Sequence, residues 1–168
     1  MKASDLLAGW HDHNALMVRT LAPLGDEELS WTAGERLWSI RVLACHIVAA
    51  RAWWFHSWMG EGDDQLGRLV SLDDEQLEQL GQPEKPAIAA GAICDALNKS
   101  WADVRACLER WTDADLDASF QRPRPNARGE RPWRDRRYIV WHVAEHDVHH
   151  GGEISLTLGV HGRSGFDM

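Results

Sequence analysis

The chain of 168 residues has an acidic, globular composition, with 44% hydrophobic residues, 26% charged residues and a formal net charge of -8. This length predicts a single domain, residues 1–168, that can bury a sizeable core. The acidity argues against nucleic acid as a partner, because proteins that bind nucleic acid normally present a basic face.

Cysteine usage and the N-terminal residues predict a cytoplasmic protein. The three cysteines include no Cys-x-x-Cys pair, which favours reduced thiols over a disulfide framework. The first ten residues contain Lys2 and Asp5 but no long apolar run, so we expect neither a signal peptide nor a transmembrane helix. A membrane is therefore not an expected partner.

The first predicted helix begins near the N-terminus. The dipeptide Ser4-Asp5 is a good N-cap, apolar residues then recur at helical spacing as far as Leu21, and Pro23 ends the pattern. The acidic stretch 26–31 that follows predicts a single helical turn.

Ser39 predicts the start of a second helix, since serine is a preferred N-cap residue. Apolar residues recur behind it at helical spacing: Ile40, Leu43, Ile47, Ala50 and Trp54. His46 lies beside this apolar stripe. A buried histidine needs a partner, so His46 is either a core histidine bonded to a carbonyl or carboxylate, or a ligand.

A long polar connection, residues 61–84, separates the second helix from the third and has room for one short helix. Pro86 suits the first turn of the third helix, whose apolar pattern runs through residues 88–108. Cys94 and Cys107 lie on this helix and are expected to be buried as small hydrophobic residues.

The segment 112–137 lacks helical periodicity and could form a pair of short strands at most. Within it, the Arg-rich loop 122–137 concentrates positive charge in an otherwise acidic chain. Two interpretations are open for this loop. It is a solvated connection, or it is a clamp for an anionic group, because the arginine guanidinium matches carboxylate and phosphate geometry.

The fourth helix is predicted from about residue 133 to residue 158, where Gly159 ends it. Four substantial helices, long connections and no convincing strand pattern predict an all-α fold. We therefore expect a four-helix bundle.

Four histidines lie on the predicted fourth helix. His142, His146 and His150 are spaced i, i+4, i+8 and form one stripe, whereas His149 points about 100° away from His150. Two histidines at i, i+4 can bind one metal ion from a single helix face. Both His142 with His146 and His146 with His150 meet that spacing.

A third ligand is needed for a tight site, and helix bundles build metal sites from side chains on facing helices. His46 of the second helix would complete the set with His146 and His150. Three neutral imidazoles with a fourth position left open are typical of catalytic rather than structural zinc sites.

Spacing alone leaves other interpretations open. His149 and Glu153 form an i, i+4 pair on a different face, and a histidine-rich helix can also exist without any metal. Glu145 and Glu153 are candidates to orient ligand imidazoles by hydrogen bonding. Asp147 is expected to face solvent.

Two segments carry a resemblance to a known family. The stretch WSIRVLACHIV at 38–48 and the stretch HVAEHDVHHGGEI at 142–154 together resemble the DinB-like (YfiT-like) superfamily. The resemblance implies a four-helix bundle with a divalent metal held by His46, His146 and His150. The Arg-Gly-Gln that usually follows the last histidine is here Gly151-Gly152-Glu153.

The same resemblance implies a metal-dependent enzyme such as a low-molecular-weight thiol S-transferase. Its partners would be a small thiol and an electrophilic small molecule, and a homodimer is expected. Zn, Ni, Fe or Mn would suit three histidines with an open position. The alternatives are a non-catalytic metal- or small-molecule-binding stress protein and a metal-dependent hydrolase; no catalytic residue beyond the ligands is predicted.

Overall fold

The computed structural model describes residues 8–72 and 88–166. Its helices are α1 (Ala8–Leu21), α2 (Asp26–Leu29), α3 (Ile40–Ala52), α4 (Asp64–Leu69), α5 (Ala90–Arg110) and α6 (Arg136–Val160). The long helix α3 packs against α5 and α6, while α1 packs chiefly against α5. The predicted all-α four-helix bundle is therefore confirmed.

The remaining elements are short. A π-helical turn (Trp53–Trp58) extends α3, and 3-10 turns occur at Val70–Leu72 and Asp115–Asp117. Strands β1 (Ser119–Gln121) and β2 (Trp133–Asp135) pair antiparallel, with Phe120 opposite Arg134. The described part of the chain thus contains the pair of short strands that the sequence allowed before the fourth helix.

N-caps set where two of the long helices begin. The Ser39 hydroxyl accepts a hydrogen bond from the Val42 N–H at 3.3 Å, which confirms the predicted start of α3. Asp135 caps α6 in the same way, accepting from the Tyr138 N–H at 2.8 Å. The caps predicted at Ser4-Asp5 and the first-turn Pro86 lie outside the described residues.

The predicted bounds of the fourth helix were wrong by a few residues at its start and slightly at its end. Residues 133–135 belong to β2, so α6 begins only at Arg136. Gly159 lies inside the helix, and Gly162 is the residue with the left-handed φ of 76° after it. Glycine adopts that conformation without the steric penalty of a Cβ.

Two apolar clusters fill the bundle, one on each side of a polar layer. The first cluster includes Leu21, Leu43, Ile47, Leu97 and Ile154. The second includes Trp10, Phe55, Val104, Ile139 and Val143.

The polar layer takes one residue from each long helix: Asn14, Arg51, Ser100 and Asp147. Arg51 donates from Nε to Asp147 Oδ2 at 2.7 Å, and neither side chain is exposed to solvent. Its Nη1 donates to Asn14 Oδ1 at 2.8 Å and to Ser100 Oγ at 3.2 Å. The layer therefore links all four long helices through one guanidinium.

Asp147 does not face solvent, so this expectation was wrong. It lies on the buried stripe of α6, four residues from Val143 and Gly151 and seven residues from Ile154, all of which are buried. The Arg51 guanidinium and the Trp10 indole, which donates to Asp147 Oδ2 at 2.6 Å, replace the water that a surface carboxylate would have.

Gly151 lets α1 approach α6 closely. A Cβ at this position would lie 2.5 Å from the His13 ring, which is itself buried. His13 is also in hydrogen-bond contact with the Asp147 carbonyl oxygen, with 3.0 Å between Nε2 and that oxygen. The imidazole of His13 is therefore part of the packing between helices.

Cys94 and Cys107 are buried, as expected, and Cys45 is buried too; none of the three is in a disulfide. In the part of the chain that the structure describes, no helix has both the length and the apolar character needed to cross a membrane.

Replacing Asp147 with Asn tests the polar layer, because it leaves the shape of the side chain but removes the charge beside Arg51. Breaking a buried ion pair by removing one partner costs about 3–5 kcal/mol. We expect the free energy of unfolding, measured by urea denaturation, to fall by about that amount. The control is Glu109→Gln, which removes the exposed partner of Arg105 and should change it by less than about 0.5 kcal/mol. Equal losses in both variants would contradict the assigned role of the pair.

Cys107 should resist alkylation in the folded protein. Burial raises the pKa of the Cys107 thiol to about 11, so only about 0.1% is the reactive thiolate at pH 8. Labelling by N-ethylmaleimide, located by peptide mass spectrometry, should be slow at pH 8 and should rise about tenfold per pH unit below that pKa. Denaturation in urea should make it fast. Rapid labelling of the native protein at pH 8 would show that the thiol is accessible.

Candidate metal centre

Helices α3 and α6 bring together the three histidines that sequence spacing selected. His46 lies nearly two turns into α3, and His146 and His150 lie one turn apart on α6. One ring nitrogen from each histidine lies within 4.8 Å of the other two. We call these three residues the histidine cluster.

The distances within the histidine cluster suit a shared ion. His46 Nε2 and His146 Nε2 are 2.9 Å apart, and the His150 ring lies 4.4 Å from the His146 ring between centroids. Two nitrogens bound tetrahedrally at the usual zinc distance are about 3.3 Å apart. Small ring rotations would give that separation, so the cluster could hold a metal ion.

Glu153 orients His150. Its Oε2 lies 2.6 Å from His150 Nδ1, one turn along α6. This hydrogen bond leaves His150 Nε2 as the nitrogen that could bind a metal ion. Metal-binding histidines usually have their other ring nitrogen hydrogen-bonded in this way. Glu145, the other candidate to orient a ligand imidazole, lies 3.9 Å from His142 instead. It forms no such hydrogen bond with a histidine of the cluster among the described residues.

Two imidazoles of the histidine cluster, those of His146 and His150, are shifted towards the neutral form. Burial, and then the neighbouring rings of His150 and His46, lower the pKa of His146 to about 3. Burial also lowers the pKa of His150, although its hydrogen bond to Glu153 opposes this effect. A neutral imidazole is the form that binds metal ions.

His146 differs from His150 in the hydrogen bonding of its Nδ1 atom. Its Nδ1 is buried and has no hydrogen-bond partner among the described residues. Its ring is positioned instead by contacts with His46 and His150.

Trp38 forms a wall of the histidine cluster that sequence reasoning missed. Its ring meets His46 edge-on at 4.8 Å between centroids and stacks on His150 at 5.8 Å. The sequence feature that could have predicted this contact is the position of Trp38 immediately before the N-cap Ser39. Large apolar side chains at that position commonly fold back onto the helix.

His142 and His149 lie outside the histidine cluster. His142 is held between aromatic rings, 4.7 Å from Trp54 and 5.8 Å from Tyr138 between centroids. The side chain of His149 is 60% exposed, but it forms a second potential ligand group with His150 and Glu153. The pair of His149 with Glu153 therefore remains a competing arrangement that shares His150 with the cluster.

Comparisons with known proteins place the chain in a family. A family model described as the DinB family matches residues 1–165. The chain belongs to the DinB family. The resemblance seen in the two sequence segments is thereby confirmed.

Two solved structures have the same fold as this DinB family chain. The first is a DinB-like protein from Bacillus cereus ATCC 10987, with a TM-score of 0.66, 20% identity and coverage of 96% of this chain and 94% of that one. The second is a conserved protein from Enterococcus faecalis, with a TM-score of 0.61, 15% identity and coverage of 95% and 99%. At these identities the likeness concerns the fold. No curated protein matches the chain.

The Arg-rich loop is largely engaged with the protein itself. Arg136 pairs with Glu61 at 2.8 Å and is nearly buried. Arg122 and Arg134 lie over aromatic rings, 5.9 Å from Trp58 and 4.8 Å from the Tyr138 ring centre. These contacts favour a structural role for the loop over an anion clamp.

Proposed function

We propose that this DinB family protein is a divalent-metal-dependent enzyme of the low-molecular-weight thiol S-transferase type, with His46, His146 and His150 as the metal ligands. The convergence of these three imidazoles from two helices is the observation that carries the proposal. A divalent ion held there with an open position would lower the pKa of a small thiol and so supply a thiolate at neutral pH.

In the proposed reaction the thiol sulfur forms a bond to carbon of an electrophilic small molecule. The leaving group departs with the electron pair of the broken bond, and the thiol proton passes to solvent. The residues of the chain contribute position rather than proton transfer. Glu153 fixes the ring of His150, and Trp38 shields one side of the cluster from water. Zn, Ni, Fe and Mn are all compatible with three imidazoles.

Alanine variants distinguish the two ligand groups, because His46 belongs only to the histidine cluster and His149 only to its competitor. We expect His46→Ala to weaken metal binding by more than roughly 10- to 100-fold. That range is typical when a protein loses a group that only hydrogen-bonds a metal ligand. His149→Ala should leave it nearly unchanged. Competition with a chromogenic chelator and elemental analysis measure both, and circular dichroism checks folding.

The opposite ranking, with His149→Ala the more damaging variant, would transfer the site to His149, His150 and Glu153. Equal and negligible metal content in wild type and both variants would remove the metal proposal altogether.

A turnover assay distinguishes the proposed enzyme from a non-catalytic stress protein that binds a metal or a small molecule. The histidine cluster alone is compatible with either. The metal-loaded protein is mixed with a small thiol and monochlorobimane, and adduct formation is followed by fluorescence. We expect acceleration that is lost in His46→Ala and retained in His149→Ala. Metal binding without acceleration would favour the binding protein, and metal-dependent cleavage of an ester probe would favour a hydrolase.

We also propose a homodimer, as the family resemblance implies. The outer face of α6 exposes Trp141, Val148 and Val160, whose relative exposures of 59%, 54% and 59% are high for large apolar residues. Sedimentation velocity should give a dimer for the wild type and a smaller species for Val148→Glu. A monomeric wild type at micromolar concentration would contradict this.

A further inference from the structure

A cavity of about 280 Å³ opens beside the histidine cluster, between α6 and the loop that precedes α3. Its apolar lining includes Leu37, Leu43 and Leu156, and its polar lining includes Arg36, His150 and Glu153. We infer that this cavity, which we call the loop pocket, binds a small organic acid that has an apolar body and one carboxylate paired with Arg36.

The apolar part of the ligand is indicated by two leucines. Leu37 and Leu156 line the pocket, yet 56% and 60% of their surfaces are exposed. Large apolar side chains that line a cavity and remain open to water are stabilised when another apolar group covers them. Leu43, which is buried in α3, forms the base against which such a group would rest.

The anionic part is indicated by Arg36. Within residues 8–72 and 88–166, Arg36 is the one residue other than glycine with a positive φ, 65°. Residues held in this strained conformation cluster at ligand clamps and active sites. The Arg36 guanidinium makes no hydrogen bond or ion pair with another described residue, so its five donors are available to a carboxylate.

The charges of the pocket set the orientation of the ligand. Glu153 carries a carboxylate on the α6 side, where it is engaged with His150. An anion placed beside Glu153 would be repelled, whereas one beside Arg36 would be attracted. The carboxylate therefore lies towards the loop, and the opposite end of the ligand lies towards His150.

The loop pocket gives the proposed electrophile a chemical class: an apolar compound with a single carboxylate at a distance from its reactive carbon. Naming the ligand as a substrate rests on the proposed function. Its binding does not, because the contacts come from Arg36 and the leucines.

The experiment uses 4-phenylbutyrate as the probe and the neutral 4-phenylbutyramide as its matched control, titrated calorimetrically into the full chain with and without metal. We expect the acid to bind both forms and to bind more tightly than the amide. Arg36→Gln should weaken the acid about three- to tenfold, as for a partly exposed charged contact, and leave the amide unchanged. Arg128→Gln, which alters an exposed arginine of the Arg-rich loop, should affect neither.

Leu156→Ser provides a second variant on the exposed surface and should weaken acid and amide alike. The inference is overturned if the wild type binds neither probe, if Arg36→Gln leaves the affinity for the acid unchanged, or if the acid binds only to the metal-loaded form independently of Arg36.

Metal content is measured on the same samples. Arg36-dependent binding by a protein that holds no metal would remove the proposed function and keep the pocket. Metal-dependent turnover without acid binding would remove the inference about the loop pocket and keep the proposed function.

Discussion

The buried ion pair between Arg51 and Asp147 is the contact on which the rest of the bundle depends. Neither side chain reaches water, so each charge relies on the other for the stabilisation that solvent would provide. The pair joins α3 to α6, the two helices that carry the histidine cluster, and Asp147 directly follows His146 in the chain. The histidine cluster is therefore positioned by a polar layer that does not itself form part of the cluster.

An apolar pair of similar volume could stabilise the bundle as well as this ion pair does. What the charges add is a preference for one alignment, because sliding α3 by a turn against α6 would leave both groups buried and unpaired. The same slide would separate His46 from His146, whose Nε2 atoms are 2.9 Å apart. Stability and the geometry of the candidate site thus depend on the same register between two helices.

Glu153 connects the candidate metal centre with the loop pocket. Its carboxylate holds His150 by a hydrogen bond of 2.6 Å and also lines the cavity that Arg36 borders. A ligand in the pocket would therefore lie against the group that orients the His150 imidazole. Trp38 has a similar double position, since it contacts His46 and lines the same cavity. The histidine cluster and the loop pocket therefore share these two side chains.

The sequence by itself determined the helices, the cap at Ser39 and the spacing that unites His146 with His150, because these depend on short-range periodicity. It also selected His46, through the rule that bundles build sites across facing helices. Tertiary structure alone decided that Asp147 points inward and that Arg36 lines the same cavity as His150. Whether a charged side chain is buried depends on a partner far away in the chain, here 96 positions distant, and local pattern carries no record of that partner.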